Sequence, residues 1–197
     1  MLPPYAAEFP PGSVFLCVVD PGVGGARPSG VLRADGRWYV GPENGLFELV
    51  IRRANAGAEW WDATWRPPRL SSTFHGRDVF APIAARLARG ETPEQAAGGV
   101  RRPIQALRRK DWPDDLLAVV YVDTFGNAIT GLRAAGVEMS AVVVAAGNAF
   151  RNARTFSEVL SGQGFWYENA NGLLEIAVNR GSAAALGLRL GTAIKIE

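Results

Sequence analysis

The sequence predicts an α/β first half followed by a mostly β second half, and three observations carry that division. Up to about residue 110, β-branched runs alternate with segments of helical period. After residue 116, short apolar runs follow one another between turns, a spacing that suits a small β-barrel or sandwich. Between the two lies a basic run ending Arg108-Arg109-Lys110, then Asp111-Trp112-Pro113-Asp114-Asp115, which reads as a surface linker. The expected domains are therefore residues 1–112 and 113–197.

Residues 13–19 are a continuous apolar run ended by Asp20-Pro21-Gly22, the pattern of a fully buried strand feeding a tight turn. Residues 30–32 and 38–40 flank Ala34-Asp35-Gly36-Arg37 as a hairpin. Residues 45–53 have a short helical pattern, and 59–62 that of another strand. A helix is expected over 80–89, and Thr92-Pro93-Glu94-Gln95 opens a second with an N-cap threonine, proline at N1 and glutamine at N3. In the second half, strands are expected at 117–122, 141–145, 164–168, 173–178 and 193–196.

Composition excludes several function classes. Across 197 residues, 21 Lys+Arg against 19 Asp+Glu leave a charge of +2, too weak to argue for a nucleic-acid partner. One cysteine and one histidine cannot make a disulfide within the chain or a structural zinc site. Cys17, inside an apolar run, reads as a buried, inert thiol. The longest apolar stretches fall far short of the roughly 20 residues that span a bilayer, and the opening residues lack a secretory pattern. No membrane partner and a cytoplasmic setting are the expectations.

Three polar clusters follow or interrupt apolar segments. In Asp20 to Arg27, an aspartate ends a strand and is followed by three glycines. That places it where open α/β sheets hold ligands, though an aspartate capping its own turn gives the same pattern. Ser72 to Asp78 contains His75, the chain's only imidazole, which suits either a general base or a structural role. In Asp123 to Asn127 the same two readings, ligand recognition or a satisfied turn, stand side by side. No dinucleotide fingerprint or Walker lysine is present.

Taken in order, Val18-Val19-Asp20-Pro21-Gly22-Val23-Gly24 with Arg27, Gly41-Pro42-Glu43-Asn44-Gly45, Thr73-Phe74-His75-Gly76-Arg77-Asp78, Asp123 to Asn127, and Glu175-Ile176-Ala177-Val178-Asn179 resemble the S-adenosyl-L-methionine hydroxide adenosyltransferase family, relatives of fluorinase and chlorinase. The resemblance covers nearly the whole chain. It implies a Rossmann-like N-terminal α/β domain, a small C-terminal β-barrel domain and a homotrimer whose sites are completed by neighbouring subunits. It further implies cleavage of S-adenosyl-L-methionine to adenosine and L-methionine, with no cofactor or metal and with water activated by Asp20, Arg27 and His75. By the same resemblance, Asp123, Phe125, Asn127, Phe156, Ala170, Glu175 and Val178 contact substrate, Phe156 as an adenine-stacking aromatic.

The sequence departs from the family in two ways that matter for the site. Ala170 stands where the family commonly has serine. The chain also opens later than the family, without its initial Thr-Asp-Phe-Gly strand and loop, so a truncated sheet is expected. Two other readings accompany the hydrolase: a halide-using transferase of the same fold, and a non-catalytic adenosine-binding or assembly subunit.

Overall fold

The structure, a computed structural model, describes residues 1–197 as two compact units, Leu2–Trp112 and Pro113–Glu197. In the first, a short helix α1 (Leu2–Ala7) precedes strands β1 (Val14–Leu16), β2 (Ser29–Ala34) and β3 (Arg37–Pro42). Helix α2 (Glu48–Arg53), strand β4 (Ala58–Asp62), helices α3 (Ala81–Ala88) and α4 (Pro93–Ala97) and strand β5 (Arg101–Arg102) follow. The sheet order is β1-β3-β2-β4-β5. Only β1 with β3 is parallel; the other three pairings are antiparallel. Leu32, Phe47 and Trp60 fill one face of the sheet, and Val31, Phe80 and Ile83 the other.

One expectation for this unit needs correction. The run 13–19 is not a fully buried strand: β1 is an edge, pairing on one side only, and Leu16, Val18 and Val19 are exposed. The basic segment lies at the surface, as expected of a surface linker, and its Arg108-Arg109 end is tied back to the first unit. Arg108 and the Arg109 amide bond Glu48, a carboxylate fully buried on α2, which also takes Arg52. The expected capping box is present: Thr92 Oγ1 accepts from the Gln95 amide at 3.3 Å, and Gln95 Oε1 accepts from the Thr92 amide at 3.0 Å.

The second unit has strands β6 (Leu116–Val122), β7 (Ala128–Arg133), β8 (Val143–Ala145), β9 (Asn148–Asn152), β10 (Gly164–Glu168), β11 (Leu173–Val178) and β12 (Ile194–Ile196). They form one sheet in the order β12-β8-β9-β10-β11-β7-β6. A bridge from Ala118 to Ala193 links its two ends, curling it into a nearly closed barrel. Inside pack Val119, Phe150, Trp166, Leu174, Ile176, Leu188 and Ile194. A smaller outer cluster gathers Ala153, Phe165 and Ala177 with Val159 and Tyr167. The alternation of β11 separates the faces: Leu174, Ile176 and Val178 point inward, while Glu175 and Ala177 sit opposite Tyr167 and Phe165 of β10.

Candidate active site

In the first unit, the polar segments converge at the carboxyl end of β1. The loop after it is closed by its own backbone, the Val23 amide bonding the Asp20 carbonyl and the Gly25 amide that of Gly22, both at 3.2 Å. The Asp20 carboxylate takes no part in those turns. Its Oδ2 accepts from Arg27 Nη2 at 2.5 Å, with the two side chains only 5% and 12% exposed. The self-capping reading of Asp20 is thereby replaced by an ion pair. Arg27 also donates to the Pro28 carbonyl and lies over the Phe80 ring at 5.7 Å. Asp20 Oδ1 and Arg27 Nε are buried with no hydrogen-bond partner. Such atoms cost about 1–3 kcal/mol each when left unpaired, so they mark where a polar ligand atom would be held.

Two glycines bring the histidine segment against this loop. A Cβ on Gly24 would stand 2.4 Å from the Ser72 carbonyl oxygen, and one on Gly76 would stand 2.3 Å from Val18 Cγ1. Gly24 also has φ +81°, which side chains disfavour. His75, half-buried, leads directly into a π-helical turn, Gly76–Phe80, whose last ring is the one beneath Arg27. Turns of this kind are frequent at functional sites. Asp78 fixes the segment by accepting from the Ser71 amide at 2.9 Å. Its hydrogen bonds with Arg77 and that amide hold its carboxyl down at about 2, with a smaller contribution from His75. On the loop's other side, Asn44 Nδ2 donates to the Val19 carbonyl at 2.9 Å.

The second unit carries a cavity of about 480 Å³ lined by Phe125, Asn127, Phe156, Val178, Arg180 and Gly181. Phe125 is 79% exposed and Phe156 41%, so both rings offer open faces. Four of the residues expected to contact substrate thus share one wall. Asp123 behaves as a turn residue: Oδ1 accepts from the amides of Phe125 and Asn127 at 2.9 and 2.8 Å, and Oδ2 from Asn127 Nδ2 at 3.1 Å.

Ala170 and Glu175 lie off this cavity. Ala170 is exposed in the β10–β11 turn, at the far end from Val178 of a strand roughly 17 Å long. Glu175 is buried, bonded to Tyr167 and Asn169. Arg180 and Gly181 were not expected on the wall. Their signal in the sequence is Asn179-Arg180-Gly181, a turn closing a strand, in which Arg180 adopts φ +52°. No group of three His, Cys, Asp or Glu side chains is placed to hold a metal ion. No helix is long and apolar enough to cross a membrane.

The chain has counterparts among known proteins. A Thermus thermophilus protein named (R)-S-adenosyl-L-methionine hydrolase is 43% identical, over 98% of this chain and 78% of that protein. One of the same name from Salinispora arenicola is 40% identical, over 89% and 71%. A crystal structure of an uncharacterized conserved protein from Thermotoga maritima superposes with a TM-score of 0.83 at 30% identity, covering 98% of this chain and 80% of that one. Models of two domains match in sequence, the SAM hydroxide adenosyltransferase N-terminal domain over residues 1–97 and the C-terminal domain over 117–195. With the Asp20 loop and the aromatic cavity each falling inside one of those matches, the chain belongs to the SAM hydroxide adenosyltransferase family.

Proposed function

We propose that the protein hydrolyses S-adenosyl-L-methionine to adenosine and L-methionine, with water attacking the ribose C5′. The names of the relatives support the reaction. The observation that carries the chemistry is the Asp20–Arg27 pair, nearly buried and retaining two unpaired polar atoms, beside the segment that bears His75. Asp20 follows the strand of the sheet's one parallel pairing, the place where Rossmann-like folds hold ligands.

A sulfonium is already a good leaving group, so the reaction requires no cofactor and no acid at sulfur. It requires an oriented water with hydroxide character, since bulk water holds its proton with a pKa of about 15.7. Asp20 and His75 take that proton while Arg27 orients Asp20. The water oxygen bonds C5′, the C5′–S bond breaks, and its electron pair stays on sulfur as the neutral thioether of methionine. The purine rests on Phe156 and Phe125, with Asn127, Val178 and Arg180 around it. Because the relatives are named for the (R) form, the proposed substrate is the epimer of R configuration at sulfur. A homotrimer, in which neighbouring copies complete each site, is part of the same reading.

The decisive experiment incubates the purified protein with each sulfur epimer and follows adenosine and methionine by chromatography, with Asp20→Ala alongside. Equal release of both products, lost in the variant, is the expected result. Binding of adenosine without turnover would make the protein a binding subunit instead. Formation of a 5′-halogenated adenosine in chloride or fluoride buffer would make it a halide-using transferase. Light scattering tests the trimer.

A further inference from the structure

Strand β11 is buried along its whole length and apolar except at one position, Glu175. A carboxylate with 5% exposure in the middle of a strand is costly unless both oxygens are satisfied. Here Oε1 accepts from the Tyr167 hydroxyl and Oε2 from Asn169 Nδ2 at 3.0 Å. The partners lead outward in two directions. Asn169 Oδ1 accepts from the Asn171 and Leu173 amides at 2.9 and 3.0 Å, closing the β10–β11 turn. The Tyr167 ring stacks on Phe165 at 5.5 Å, and both rings meet Phe156, Phe165 edge-on at 5.0 Å and Tyr167 at 6.1 Å. Phe156 is the cavity ring.

We propose that Glu175 is a positioning residue: through Tyr167 it fixes the angle at which Phe156 presents its face to the purine of the substrate. The buried Phe165 ring and the partly buried Tyr167 ring set that angle, and only Tyr167 has a polar anchor. Stacking depends on ring offset and tilt, so a wall ring free to turn offers a poorer average face at unchanged buried area. Glu175 does not line the cavity and acts on it only through Tyr167 and Phe156, so its effect falls on substrate binding and leaves the bond-breaking step alone. The kinetic part of this inference rests on the hydrolase reading; the positioning part does not.

Two measurements separate them. The first places 4-fluorophenylalanine at position 156 and records its fluorine resonance in wild type, Glu175→Gln, Glu175→Leu and Tyr167→Phe, without any substrate. Glutamine keeps an acceptor for the Tyr167 hydroxyl, so its resonance should match wild type, while the leucine and phenylalanine variants should shift or broaden it. An unchanged resonance in both of those variants overturns the proposal whatever the protein's activity. The second measures hydrolysis of S-adenosyl-L-methionine. Glu175→Leu and Tyr167→Phe should raise KM about threefold to tenfold, the range worth one aromatic contact, with kcat within about a factor of two. Glu175→Gln should restore wild-type KM. In a Phe156→Ala background, Glu175→Leu should add no further rise. Additive rises, or a loss carried by kcat, would make Glu175 only a structural group. A wild-type protein with no turnover would overturn the hydrolase reading and leave the fluorine result standing.

Discussion

Asp20 and Arg27, seven residues apart, close a loop as a 2.5 Å ion pair whose aspartate keeps its second oxygen unbonded. That asymmetry gives the pair two separable roles. Oδ2 holds Arg27, and Oδ1, buried and unbonded, is the oxygen that the proposed mechanism gives to the reacting water. Asp20→Asn keeps the shape and loses the charge, so kcat should fall by about 10²–10⁴. Thermal unfolding should also fall, on the order of 3 kcal/mol, because Arg27 is left nearly buried without its counter-charge. Asp20→Asn with wild-type turnover would remove the carboxylate from the mechanism.

His75 leads into the π-turn whose last ring lies under Arg27, so its removal should touch chemistry more than structure. His75→Ala should lower kcat by about 10²–10⁴ while calorimetry finds adenosine affinity within about twofold of wild type. A parallel loss of adenosine affinity would assign His75 to binding instead. Gly24→Ala is the geometric counterpart. Its Cβ would collide with the Ser72 carbonyl and push the two segments apart, so it should lose turnover although the proposed mechanism uses neither side chain.

The polar motifs were legible in the sequence because each sits at the end of an apolar run, and four of the expected contact residues do line one cavity. What distinguishes Asp20 from Asp123 was not legible in the local pattern of either segment; only the family resemblance grouped Asp20 with Arg27. Both precede glycine-bearing turns, yet Asp123 spends its oxygens on its own loop while Asp20 reaches across to Arg27. The choice is made by a side chain seven residues away, which local pattern does not encode. The edge position of β1 was hidden for a similar reason: an apolar run reports burial tendency, and pairing decides whether it is met. Strands β7 and β9 were missed because their glycine, threonine and asparagines interrupt the alternation, and the barrel's register compensates.

Glu48 ties α2 to the segment read from sequence as a linker. Burial pushes its carboxyl up, but the Arg109 amide and the Arg52 and Arg108 guanidiniums outweigh that and hold it below the usual 4.5. A depressed folded value means the stabilisation is present above pH 4.5 and is lost as pH falls through the folded value. Glu48→Gln should cost about 3–5 kcal/mol in urea unfolding at pH 7, since two arginines lose a buried counter-charge. The gap between variant and wild type should narrow in acid. A gap independent of pH would mean the carboxylate's charge contributes nothing.

The two tightest hairpins differ at one residue. β2–β3 turns through Asp35-Gly36 and β8–β9 through Ala146-Gly147, and all four residues have positive φ, +47°, +75°, +49° and +76°. Asp-Gly suits that conformation, whereas alanine has neither the flexibility of glycine nor a side chain that bonds locally. Ala146→Asn should therefore raise the urea midpoint by an amount worth about 1 kcal/mol with an unchanged slope. Asp35→Ala should lose more than that, because Asp35 Oδ1 also accepts from the Ala56 amide at 2.7 Å. If Ala146→Asn leaves the midpoint where it is, the turn at 146–147 relaxes at no cost and positive φ is not a source of strain in this barrel.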